Sequence, residues 1–487
     1  YGAYAGVACG YLALRLMVLG HVFGGIEEGP RLLNPLRDLG VMERVMTSVV
    51  VVGQALMQSV WPATLCLDYG YNQIPAVAGL MDPRLLASAG GLAALAGGIF
   101  WWLRRRPVGG AAGSGKGAQD TKGAAPGSPR PAVAAAGAAL FLLAFLPASN
   151  LLFPGISAFA ERNLYLPVLG LCMMAAALLD VGWRGRAGAG AGSGMHPVLV
   201  AGVGLLVAAA GARTLARNPD FGSKIALYGS AARACPSSAR AHMFWGVALR
   251  EEGRTREGLA AQQRSLAIAP DYADARSEYG LGLMLLGDLA GAERELKETL
   301  RLDPMDREAR SNLSSLYAAT GRLHESVAEA MEAARLFPDD PDVLNNYASS
   351  LIDVGQAVVA EGIFSRLKES HKESPHGPNG LGALLAREGR WGEAAPLFQE
   401  AVRRKPGDAN AALNLAQALW RTGRTPEALA ALEEAIRAAR AGAGVPGGGS
   451  SGELQVGADT VVPGGGGIDP ELIRLRDALR SGAPPPS

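Results

Sequence analysis

Glycine recurs at positions 253, 287, 321, 355, 389 and 423, each 34 residues after the last. Proline keeps the same register at 236, 270, 304, 338 and 406, while the place due at 372 holds Lys372, with Pro375 displaced into the string SPHGP. Two ladders sharing one period leave the chain little freedom, because every 34 residues must build the same unit. The glycine supplies a left-handed residue that closes one helix and lets the chain reverse. The proline stops a second helix and starts the next unit. Small residues fall at two further fixed places, Ala292, Ala360, Ala394 and Ala428 at one and Gly246, Gly280 and Gly382 at the other. There the paired helices are expected to approach closely, with Tyr317, Phe364 and Phe398 filling the seam. A single pair cannot bury its apolar face alone, so the units must stack.

A 34-residue helix pair has the length of a tetratricopeptide repeat (TPR). We expect six repeats, 239–272 through 409–442, preceded by a half unit at 219–238. The first helices of such a stack line a concave surface. Asn312, Asn346 and Asn414 share one repeat position on them and are the candidates for a peptide groove. An amide offers donor and acceptor together, which suits the backbone of an extended peptide. The competing reading is a solvated surface, since asparagine is common at this position of TPRs. Asn312-Leu313-Ser314 also matches a glycosylation sequon, but within a predicted helix. Residues 443–468 read as a Gly-rich flexible linker. The stretch 469–487, opening on Asp469-Pro470, reads as a short amphipathic helix and tail that caps the last repeat.

Upstream of the repeats the apolar residues are dense rather than periodic. Over the whole 487 residues 49% are hydrophobic and only 19% charged, which is low for a soluble chain. About 20 apolar residues are needed to cross a bilayer core as helix. Candidate spans lie at roughly 3–23, 43–64, 84–103, 133–152, 163–181 and 196–215. The expected fold class is therefore all-α: a multi-span transmembrane domain over 1–215, followed by a TPR α-solenoid over 219–442. The Gly/Ala-rich loop at 104–132 carries Arg104, Arg105, Arg106, Lys116, Lys122 and Arg130 against Asp120, which marks it as cytoplasmic. Arg184 and Arg186 put the loop after the fifth span on the same side. Three crossings then place the repeats on the opposite, lumenal face. The segment 25–42 fits a loop, a surface helix or a re-entrant piece. Because the chain begins with Tyr1 inside an apolar run, it reads as a fragment lacking earlier helices.

A net charge of +1 gives no argument for nucleic acid as a partner. The four cysteines show no CxxC spacing and the six histidines no HExxH, so neither a disulfide framework nor a metal site is expected. Three places in the apolar half carry candidate chemistry. Arg15 sits mid-span in YLALRLMVLG, where an arginine is expensive and marks either function or snorkelling. Asp68 lies in CLDYGYNQIP with Tyr69, Tyr71 and Asn72, a membrane-edge loop whose tyrosines also serve as ordinary anchors. Glu161 and Arg162 stand at the mouth of a span, where they either neutralise each other or leave Arg162 to grip a lipid phosphate.

Three strings carry a family resemblance. WPATLCLDYGYNQIP (61–75) resembles a motif of the transmembrane and TPR-repeat-containing proteins, the TMTC family. SAFAERNLYLPVLGLC (157–172) resembles their Ala-Glu-Arg and Leu-Tyr-Leu-Pro signature before a span. ARNPDF (216–221), running on towards ACPSSARAHMFWG (234–246), resembles their junction into the first TPR. The resemblance implies an endoplasmic-reticulum protein O-mannosyltransferase with part of a GT-C-type membrane fold. It implies dolichyl-phosphate mannose as donor, Ser or Thr hydroxyls of secretory-pathway proteins as acceptors, and no metal or further cofactor. The catalytic acid of the family falls in a first lumenal loop upstream of Tyr1. The residues left to act here are Arg162 and Arg15 on the donor phosphate, then Asp68 and Glu161 as sugar or acceptor contacts. Membrane lipid and protein clients held by the repeats are the implied partners. The chain departs from the family in its long loop at 107–131 and in Asp68-Tyr69-Gly70. A non-catalytic membrane-anchored TPR scaffold is the alternative, distinguished by whether that upstream loop holds an acid. A bacterial-type lipid-linked-sugar ligase is a third reading that the 157–172 string disfavours.

Overall fold

The computed structural model describes residues 36, 39–60, 74–104, 130–145, 149, 164, 167–176, 197–443 and 470–481, and among them every regular element is helical. The chain divides into two units, 1–241 and 242–487.

In the first unit the described helices are α1 (Val41–Val60), α2 (Pro83–Arg104), α3 (Arg130–Phe145), α4 (167–176), α5 (Pro197–Arg217) and α6 (Lys224–Ala234). They pack through small residues. A Cβ built on Gly53 of α1 would lie 2.4 Å from Ser88 Oγ on α2, and one on Gly137 of α3 would lie 2.6 Å from the Gly170 carbonyl oxygen on α4. Met46, Val51, Ala55, Ile74, Val77 and Phe145 form the centre of the unit's core. Thr47 fastens the entry to α2 onto α1, its buried Oγ1 accepting from the Val77 N–H at 2.9 Å and donating to the Glu43 carbonyl at 2.8 Å.

Helices α1 to α5 overlap five of the six stretches expected as spans; the first, 3–23, lies outside the described residues. Among the described residues, no helix is long and apolar enough to cross a membrane. The apolar side chains nevertheless point outward as well as inward, with Leu205 73% and Leu143 67% exposed. One expectation is corrected: Cys235 is disulfide-bonded. Its partner lies outside the described residues, whereas Cys172 is free and exposed.

The helix α7 (Ala239–Glu251) crosses the division and opens the repeats, paired with α8 (Thr255–Ile268). The pairs continue as α9 (Ala273–Leu285) with α10 (Leu289–Leu302), and α11 (Arg307–Ala319) with α12 (Leu323–Leu336). They end with α13 (Pro341–Asp353) and α14 (Ala357–Ser370), α15 (His376–Arg387) and α16 (Trp391–Arg404), and α17 (Ala409–Arg421) and α18 (Thr425–Ala443). The ladder glycines between the members of each pair all take positive φ, from 74° at Gly321 to 82° at Gly287. Aspartates begin the first helices: Asp306 accepts from Ala309 N–H, Asp340 from Asp342 and Val343, and Asp408 from Ala411. Ala292, Ala360, Ala394 and Ala428 are fully buried, and Tyr317, Phe364 and Phe398 fill the seam as expected.

Where Lys372 replaces the ladder proline, Arg404 closes the joint. Its guanidinium donates to the carbonyls of Lys368 at 3.0 Å, His371 at 3.2 Å and Ser374 at 3.1 Å. The final helix, α19 (Pro470–Ser481), lays Leu472, Leu475 and Leu479 into the same core as Leu432, Ala435 and Ile436 of α18. It covers the apolar face that a seventh repeat would otherwise occupy.

Candidate functional site

The first helices of successive repeats touch one another, α9 with α11, α11 with α13, α13 with α15, and α15 with α17; the second helices make no comparable contact. The first helices thus form the inner wall of the stack. Asn312, Asn346 and Asn414 lie on α11, α13 and α17, each partly exposed. Their amides are engaged to different degrees. Asn414 Nδ2 donates to Asn379 Oδ1 on α15 at 3.0 Å. Asn346 Oδ1 receives only a 3.5 Å contact from Nδ2 of Asn345, a residue 3% exposed. Asn312 has no side-chain hydrogen bond among the described residues. Ser314 of the sequon is buried, bonded to the Ser326 carbonyl at 3.0 Å and to the hydroxyls of Ser326 and Ser350.

One turn N-terminal to Asn312 and Asn346, on the same helix face, stands a second row. It comprises Asp274, Glu308 and Asp342, 34 residues apart, with Glu278 four residues after Asp274. Arg307 holds this row together, meeting Glu308 at 2.7 Å, Asp340 at 2.8 Å and Asp342 at 3.6 Å. The largely buried His376 binds across to Asp342, its Nε2 lying 2.9 Å from Oδ1, which links the fifth repeat to the fourth. Arg250 pairs with Glu278. The signal for the row was present in the sequence as acids at the ladder period, two of which, Glu308 and Asp342, stand four residues before an asparagine.

Two carboxyls of this wall are shifted, chiefly by burial. Burial pushes the Glu278 carboxyl up, Arg250 works against that, and Glu308 and Glu251 add to it. Burial likewise pushes Asp306 up to about 6; the Ala309 N–H opposes the rise, and Glu308, Asp274 and Asp303 reinforce it.

The candidates Arg15, Asp68, Glu161 and Arg162 lie outside the described residues. At the entry to α2, Arg84 donates to the Pro75 carbonyl at 3.0 Å and pairs with Asp82 at 2.6 Å, holding that carboxyl down at about 2. Among the described residues no group of three His, Cys, Asp or Glu is placed to hold a metal ion.

Tetratricopeptide repeat family models match residues 280–341 and 385–443. Over 132 residues the chain is 36% identical to Protein O-mannosyl-transferase Tmtc2 of Drosophila melanogaster, covering 27% of this chain and 13% of that protein. Over 259 residues it is 27% identical to Protein O-mannosyl-transferase TMTC1 of Mus musculus, covering 51% of this chain and 24% of that protein. This chain is a relative of the TMTC proteins. It matches a quarter or less of the length of those two TMTC proteins. The crystal structure of YrrB, described as a TPR protein with an unusual peptide-binding site, is 21% identical at a TM-score of 0.26, over 37% of this TMTC relative and 92% of YrrB.

Proposed function

We propose that the intact protein is an O-mannosyltransferase of the endoplasmic reticulum. It takes mannose from dolichyl-phosphate mannose and transfers it to Ser or Thr hydroxyls of secretory-pathway proteins, while the TPR wall holds the client. The similarity to named protein O-mannosyl-transferases carries the activity. The partly exposed asparagines of the first helices carry the client-holding role.

Two features support placing the first unit in a bilayer with the repeats on the lumenal side. Its helices meet at small residues, Gly53 against Ser88 and Gly137 against Gly170, while Leu86, Phe100 and Leu142 face outward. That arrangement suits lipid, where close backbone approach replaces the hydrophobic effect between helices. The disulfide of Cys235, at the threshold of the repeats, belongs to an oxidising compartment such as the lumen.

In this reading Arg162, and secondarily Arg15, neutralise the donor phosphate, which gains negative charge as the glycosidic bond breaks. Asp68 and Glu161 contact sugar or acceptor. The test is transfer of labelled mannose by the full-length protein reconstituted with dolichyl-phosphate mannose and a Ser/Thr-rich acceptor peptide. The wild type transfers label, and Arg162→Ala loses the activity while inserting normally. Full transfer by the variant removes Arg162 from the mechanism, and no transfer by the wild type favours the scaffold.

A further inference from the structure

Near the start of α1 two groups that can donate hydrogen bonds stand without acceptors. Arg44 Nε and Ser48 Oγ are both shut off from solvent, and neither has a hydrogen-bond partner. Ser48 is 1% exposed, Arg44 is half-buried, and Arg44 makes no ion pair among the described residues. The two are four residues apart, so they share one face of α1. Their neighbours do not meet the need. The Thr47 hydroxyl is spent between the Val77 N–H and the Glu43 carbonyl, and the Glu43 side chain is exposed and does not pair with Arg44. Asp82, at the entry to α2, is held by Arg84. A buried guanidinium N–H and a buried hydroxyl are costly to leave unpartnered, and one oxyanion accepts from both.

The surroundings are apolar and open. Val41 and Met42 on α1, Leu80 and Met81 just ahead of α2, and Leu86 on α2 are all exposed, Met81 to 84%. The Thr47 bond to Val77 and the approach of Gly53 to Ser88 bring the start of α1 to the start of α2. Leu164, two residues after Arg162, belongs to the same core cluster as Met46, Val50 and Val77.

We propose that Arg44 and Ser48 hold the phosphate of a polyprenyl phosphate, whose isoprenoid chain lies over Met42, Leu80 and Met81. A phosphate offers oxygens to the Nε side of the guanidinium and to the hydroxyl at once. The exposed apolar rim favours a phosphate carried on a lipid over a free one. Helix α2 runs into the arginine-rich loop expected on the cytoplasmic side, so its start, and Arg44 with it, is lumenal in that orientation. This inference rests on the reading of the donor as dolichyl-phosphate mannose, and adds Arg44 and Ser48 to Arg162 as residues that bind it.

The experiment is native mass spectrometry and thermal unfolding of the full chain in detergent, with dolichyl phosphate, uncharged dolichol or inorganic phosphate added. The wild type should bind dolichyl phosphate about tenfold tighter than dolichol. Arg44→Met should bind the two alike. Without lipid it should unfold at no lower temperature than wild type, because it removes an unpartnered buried donor, so the lost preference is not misfolding. Ser48→Ala should lose part of the preference, and Arg44→Lys, which keeps the charge, should retain part of it. A wild type that binds dolichyl phosphate no better than dolichol overturns the site, as does an Arg44→Met variant that keeps the preference. Inorganic phosphate that stabilises the wild type as much as dolichyl phosphate does assigns the pair to a free anion and overturns the lipid. None of these readouts requires mannose transfer. An Arg44-dependent preference in a protein that transfers no mannose keeps the site and removes the enzyme. Transfer by a full-length protein whose Arg44→Met variant binds the lipid normally keeps the enzyme and removes the site.

Discussion

Gly246 of α7 and Gly258 of α8 face each other so closely that a Cβ built on either meets the other's backbone. The distances are 2.7 Å from the Gly246 Cβ to the Gly258 carbonyl oxygen and 2.6 Å in the reverse direction. The same repeat place is read by different partners along the array: Gly280 is filled from across by Leu296, and Gly382 by Phe398. Gly246→Ala should therefore destabilise the array by about 1–3 kcal/mol through overpacking, despite alanine's better helix propensity. Gly362 of α14 meets nothing within 4 Å, and Gly362→Ala should stabilise by up to about 1 kcal/mol. Chemical denaturation followed by circular dichroism distinguishes the two signs.

Asp306 makes the stability of the array depend on pH. Its folded-state pKa of about 6 lies above the ordinary 3.8, because burial and the charges of Glu308, Asp274 and Asp303 disfavour the carboxylate. Between those two values the folded chain binds the extra proton, so stability falls as pH rises through that window and is regained as pH drops from about 6 towards about 4. Asp306→Asn keeps the N-cap acceptor for Ala309 and removes the charge. The variant should unfold at higher urea than wild type at pH 7, by about 2 kcal/mol, and show a flatter dependence between pH 4 and pH 6. A variant that follows the wild-type pH profile assigns the dependence elsewhere.

The terminal helix α19 is held by Leu472, Leu475 and Leu479 against the last repeat, with Arg480 paired to Glu433 at the rim. Leu472→Asp with Leu479→Asp places charges where those leucines are 1% and 5% exposed. Losing the cap bares the apolar end of the stack, with an expected cost of about 2–5 kcal/mol. The readout is a lower melting temperature together with new binding of an apolar dye. Arg480→Ala, which removes an exposed pair, should change stability by less than about 1 kcal/mol.

The disulfide of Cys235 can be read by chemical trapping. In protein acid-quenched from cells and unfolded without reductant, Cys235 should resist maleimide, and Cys172 should react at once. Reductant should release Cys235 for labelling. Labelling of Cys235 before reduction contradicts both the disulfide and the lumenal placement that leans on it.

The repeat architecture was legible in one dimension because its determinants are local. A glycine at positive φ and a small residue at a crossing each act within one helix pair, so Gly253 and Ala360 announce themselves by type and spacing. The cap at Pro470–Ser481 was legible for the same reason. The joint at Lys372 was legible only as an irregularity. Its repair by Arg404 depends on three carbonyls brought together from 30 to 36 residues away, which no local pattern encodes.

The asparagine ladder shows the division most plainly. Period alone put Asn312, Asn346 and Asn414 on one face of the first helices, because helical repetition maps equal spacing onto equal direction. Only packing decided that Asn414 spends its amide on Asn379, that Asn345 is nearly buried beside Asn346, and that His376 reaches Asp342 in the preceding repeat. Those are distances between helices, set by how each pair leans on the next. Likewise, composition announced four cysteines, but only the folded chain joined Cys235 into a disulfide, since bridging depends on three-dimensional approach rather than on spacing.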